Sequence, residues 1–124
     1  MRFFFVSLIL FLVFSMPVKA QESPSLISAA YLLSICKKDE EGKEIAEGAH
    51  TACQAYIAGI VDYHKLLRSL GTPPSAQLCV PNTVKLNDLQ DIVWVYLESN
   101  SQHDAFNAAP AVVLALNTAF PCKK

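Results

Sequence analysis

Four cysteines constrain this chain more than any other feature: Cys36, Cys53, Cys79 and Cys122 all follow an N-terminal segment of export type. An even number of cysteines in an exported chain reads first as a disulfide framework. Zinc is the rival reading. No C-x-x-C pair occurs, however, and His50 with Cys53 is the one close His/Cys pairing. A chain of this size buries only a thin core, so covalent cross-links matter to its stability.

The export reading rests on residues 1–20. Arg2 is followed by 14 uncharged residues, Phe3 to Met16, then by Pro17 and Val18-Lys19-Ala20. As a helix, 14 residues rise roughly 21 Å, short of a ~30 Å hydrocarbon core. The positive start, apolar centre and small-residue cut predict a secretory signal peptide, cleaved near Ala20. An uncleaved anchor is the alternative. No cysteine lies at the cut, which argues against a lipoprotein. Residues 21–124 then form one domain. The ten Lys and Arg include Arg2 and Lys19 of the leader, so this domain carries eight against eleven Asp and Glu, a net −3. That balance argues against nucleic acid as a partner. No later apolar run is long enough to predict membrane attachment after cleavage.

Apolar periodicity predicts four helices. Leu26, Ile27, Ala30, Tyr31, Leu33 and Ile35 mark a first helix of about 26–37, capped by Ser25 or Ser28 and closed by Lys37-Lys38. Residues 39–48 read as an acidic, exposed loop. Cys53, Ile57, Ile60, Val61, His64 and Leu67 form a stripe on a second helix, Ala49 to Leu70, with Gly71 as its C-cap. Gly59 sits inside it and predicts a close approach by another helix. Leu89, Ile92, Val93, Tyr96 and Leu97 mark a third helix of about 87–98, with Asn87 as cap and Gln90 as its capping-box partner. The run Ile92 to Leu97 is rich in strand formers, but Asp88, Asp91 and Glu98 recur near helical spacing and favour helix. A fourth helix of about 105–119 starts near Ala108, with Pro110 in its first turn, and stops at Pro121.

The expected fold is therefore all-α, a small bundle of two helical hairpins. Cys36 ends the first helix and Cys53 begins the second; Cys79 precedes the third and Cys122 follows the fourth. Antiparallel packing brings the members of each pair together, which predicts the bridges Cys36–Cys53 and Cys79–Cys122.

Catalytic patterns are missing. The sequence has no G-x-S-x-G elbow, no H-E-x-x-H and no phosphate-cradling glycine loop. Asp62 and His64, two apart on a helix, diverge by about 200° and do not pair. His50 reads as a surface residue, His64 as a satisfied, partly buried one, and His103 as exposed in the polar 99–104 loop. The expectation is a protein that binds rather than catalyses, without cofactor or metal.

The order of motifs resembles a known family. It runs from Cys36 through Ala52-Cys53-Gln54-Ala55-Tyr56-Ile57-Ala58-Gly59-Ile60-Val61-Asp62 to Cys79-Val80-Pro81. It continues through Leu89-Gln90-Asp91-Ile92-Val93 and ends at Ala119-Phe120-Pro121-Cys122. The set is similar to the Rap/Tai family, periplasmic immunity proteins against type VI secretion amidase effectors, over about residues 26–122. The resemblance implies a helical fold with the same two bridges. It also implies homodimers that bind a secreted cell-wall amidase and block its cleft with surface loops. Two loops of this sequence are the contact candidates: Ser99, Asn100, Gln102, His103 and Asp104 first, the acidic Asp39–Glu47 stretch second. A periplasmic stress chaperone or a small apolar-ligand binder is the alternative, and an enzyme accessory subunit a more distant one.

Overall fold

The computed structural model describes residues 26–123; the expected leader and its expected cut near Ala20, the start at 21–25 and Lys124 lie outside them. Four α-helices follow in order: α1 Ala29–Cys36, α2 Ala49–Ser69, α3 Leu86–Ser99 and α4 Ala108–Ala119. A 3₁₀ turn at Ser101–His103 separates the last two. Among the described residues two isolated backbone bridges occur, Ser28 with Asn107 and Lys38 with Glu44, and no strand.

Helix α1 starts three residues later than periodicity predicts. Ser28 is extended, and its Oγ accepts the Tyr31 N–H at 3.1 Å. Ile27 is engaged elsewhere: its carbonyl accepts the Ala108 N–H at 2.9 Å. The first two donors of α1 reach across the molecule, Ala29 to the Phe106 carbonyl and Ala30 to that of Asp104. A partner distant in sequence thus sets this boundary.

Helix α2 begins after Gly48 and ends before Gly71, both with positive φ, at +79° and +72°. These are left-handed conformations that glycine adopts without steric cost. Glu44 caps the start from outside the helix, its two oxygens accepting the Gly48 and His50 N–H groups at 3.1 Å each.

Helix α3 opens after Lys85, not Asn87. The Lys85 N–H donates to Asp88 Oδ2 at 3.3 Å. A lysine side chain has no acceptor, so only this returning half of a capping box can form. Gln90 does not join the cap; it is wholly buried.

The hairpins are α1 with α2 and α3 with α4, and α3 packs against all three other helices. The core is one apolar cluster built from Leu32, Ile57, Val61, Leu89, Val93, Leu97, Val112 and Leu116, with Ala108, Ala111 and Ala115 where α4 enters. Both expected bridges are present, each with Cα atoms 5.2 Å apart. Cys36–Cys53 is fully buried in that core, while Cys79 and Cys122 are only half-buried. No helix of the described residues is long and apolar enough to cross a membrane.

Candidate functional site

The 99–107 segment is held more tightly than its polar composition suggests. Asn100 closes α3, its Nδ2 donating to the Tyr96 carbonyl at 2.7 Å. Gln102 Nε2 donates to Asn100 Oδ1 at 3.1 Å. The His103 ring packs between Tyr96 and Phe106, with centroids 5.9 and 5.6 Å away. His103 is therefore half-buried, not exposed as its loop setting predicts. Neighbouring aromatics, seven residues before it and three after, are the signal for it. Asp104 is also half-buried. Of the five candidate contact residues, Ser99 and Gln102 present the most surface, and Phe106 joins them as an exposed apolar side chain. The backbone beneath them caps α1, so these side chains stand on a fixed base.

The second candidate loop also has internal structure. Asp39 Oδ1 accepts the Glu41 and Lys43 N–H groups at 2.9 and 2.8 Å, making a tight turn around Gly42. Glu40, Glu41 and Glu47 project outward. Glu44 faces the start of α2. The His50 and Gly48 N–H bonds to its carboxylate hold its pKa below the ordinary glutamate value of 4.5. At the same corner, His50 Nε2 lies 3.3 Å from the Lys37 carbonyl oxygen, so this histidine ties α2 to the end of α1. His64, by contrast, is satisfied within its own helix, with Nδ1 2.9 Å from the Ile60 carbonyl oxygen.

Sequence reasoning missed an apolar groove of about 770 Å³ between α2 and α4. Tyr56, Gly59, Ile60 and Tyr63 line one wall; Ala109, Pro110, Val113 and Leu114 line the other; Pro74 and Ala76 close one end. His64 alone among the lining side chains carries a titratable nitrogen. Tyr56 is half-buried in its wall. Burial raises its phenol pKa above 10.0, partly offset by a hydrogen bond from the Ala109 N–H. Gly59 does not receive a neighbouring helix, as its position predicts; a Cβ there would meet nothing within 4 Å. The glycine opens the groove instead. The signal was the apolar residues on the outer side of α2: Tyr63, Leu66 and Leu70 share a face, and all are exposed.

Among the described residues no cluster of His, Cys, Asp and Glu could hold a metal ion. What the molecule offers is surface: a braced polar turn and an open apolar groove on a cross-linked frame. The sequence pattern of the Rap1a immunity proteins matches residues 28–122, which spans all four helices and both bridges. The chain belongs to the Rap1a immunity protein family. Comparison with curated proteins and with solved structures finds no match. Membership agrees with the resemblance on the cysteine-framed motifs and gives the general role, an immunity protein against a secreted effector. The motif residues that carry this family's pattern, such as Cys53, Ile57 and Leu89, are core residues here. They account for a shared fold, and the surface must specify the partner.

Proposed function

We propose that this protein is exported through a cleavable leader and acts in the periplasm as a single domain of residues 21–124. There it binds a peptidoglycan amidase effector of a type VI secretion system and occludes its cleft. The family match over residues 28–122 is the observation that carries this reading. The mechanism is stoichiometric blocking, with no bond made or broken. The contact surface is the segment with Ser99, Asn100, Gln102, His103 and Asp104, whose braced backbone lowers the ordering cost of binding. The acidic 39–47 loop adds a field that speeds encounter with a basic substrate groove. Copies pair as a homodimer, for which exposed Tyr63, Leu66, Leu70 and Leu114 beside the groove supply apolar surface.

The test is co-purification of the exported protein with an amidase encoded beside its gene, followed by an inhibition titration. An equimolar endpoint, and self-intoxication on deletion, are the expected results. No inhibition and no loss of self-protection would remove this reading. Sedimentation of the purified protein as a monomer at micromolar concentration would remove the dimer alone.

The groove favours a second reading, an apolar-ligand binder or stress chaperone. Binding of an apolar dye that rises sharply on acidification would support it, and a flat response would discard it.

A further inference from the structure

We propose that the Cys79–Cys122 bridge is a redox latch: a dithiol opens it first, freeing the 72–84 segment and the C-terminal tail while the helical body stays folded. The two bridges differ in access. Cys36 and Cys53 are fully buried, and Gln90 Nε2 donates to the Cys36 carbonyl at 2.9 Å over that site. Cys79 and Cys122 are half-buried, in segments with no regular structure. Thiol–disulfide exchange needs a thiolate to reach a sulfur, so access decides the order.

What the latch holds is also local. The 72–84 segment is tied to the end of α2 at Thr72, whose N–H and Oγ1 donate to the Leu67 carbonyl at 3.0 and 3.4 Å. Beyond it the anchorage is the buried Leu78 side chain, the half-buried Pro74, Val80 and Val84, and a long Arg68 Nη1 contact to the Leu78 carbonyl at 3.4 Å. Cys122 Sγ lies 3.5 Å from the Gln77 carbonyl oxygen. As a disulfide sulfur it carries no proton, so that contact is no hydrogen bond and does not replace the bridge. Pro74 and Ala76 on this segment close one end of the α2–α4 groove. Opening the latch therefore opens that end of the groove. The chemistry balances without another reactant. A thiolate of the dithiol attacks one bridge sulfur, the S–S bond breaks, and the other cysteine leaves as a thiolate and takes a proton. The second thiol of the reagent then attacks the mixed disulfide and releases the first cysteine as a thiol. The dithiol gives up two electrons and becomes a cyclic disulfide, and the bridge gains them.

The experiment is a dithiothreitol titration of the folded, leaderless protein in the cold, with alkylation, peptide mapping, circular dichroism and limited proteolysis. The expected intermediate carries label on Cys79 and Cys122 only and keeps its helical signal. Its cleavage within 72–84 is faster by about tenfold or more, the ratio that a 1.4 kcal/mol shift in opening free energy produces. Labelling of all four cysteines together, loss of helix in the doubly labelled species, or unchanged cleavage in that segment would each overturn the latch. The Cys79→Ser/Cys122→Ser variant removes the reductant from the test. It is expected to fold with the same cleavable segment; an unfolded variant, or a folded one with the segment still protected, would overturn the proposal.

Discussion

Three helices meet at the side chain of Gln90. Its Nε2 donates to the Cys36 carbonyl at the end of α1, and its Oε1 accepts from Gln54 Nε2 of α2 at 2.8 Å. It is 0 % exposed, the one buried polar residue among those described. A buried amide is tolerated only when its bonds are made, and here both ends are. Gln90→Leu keeps the volume but leaves the Cys36 carbonyl without its donor, at a cost of about 1–3 kcal/mol. The urea midpoint should fall accordingly. Adding Gln54→Leu should cost much less in this background than in the wild type, and a double-mutant cycle measures that coupling. Glu44 gives the complementary surface case. Its folded pKa lies below 4.5, so its contribution is complete above that value and is lost as pH falls through the lower folded value. Glu44→Gln should therefore destabilise at neutral pH and match the wild type at strongly acid pH, as read from denaturation curves across that range.

At the scale of elements, periodicity made the existence of all four helices legible, because each buries one apolar stripe. The ends were legible only where the stop is local, as at Gly48, Gly71 and Pro121. Helix α1 loses its first turn to a pairing with Asn107, which lies 79 positions away from Ser28 and which no local pattern encodes. Gln90 stood at the right spacing for a capping box, but that spacing also points it at the core, and burial won. The candidate site was misjudged for a different reason: composition marks 99–104 as polar, but the rings that pack on His103, Tyr96 and Phe106, lie just outside that window. Gly59 is the most useful error, because its open surroundings make a clean test. Mid-helix glycine costs about 0.5–1 kcal/mol relative to alanine. A Cβ there meets nothing within 4 Å, so Gly59→Ala should stabilise the protein by about that amount, read from the denaturant midpoint. Absence of a gain would mean that the groove is filled in solution.

For the whole molecule the two bridges matter more than any single contact. They close loops of 17 and 43 residues. By the chain-entropy argument, such loops stabilise by about 3 and about 4 kcal/mol. A domain of this size has roughly 5–15 kcal/mol in total. Losing the outer bridge alone leaves a folded body wherever the total exceeds its share, which is why the latch is tested in the cold, near the usual stability maximum of about 10–20 °C. Losing both, about 7 kcal/mol together, removes about half of the margin at the upper end of that range and all of it at the lower end. The fully reduced protein is expected to lose its helical circular dichroism at about 37 °C and to recover it on reoxidation. A reduced sample with an unchanged melting curve would show that the helices hold without their staples. The same experiment bears on function. A blocking protein binds well when its contact turn is already ordered, and the proposed contact turn at 99–107 is ordered through α1, whose end is fixed by Cys36. Inhibition of the proposed amidase should survive opening of the outer bridge and vanish with the inner one, so an inhibition titration against the two reduction steps would separate the frame from the flap.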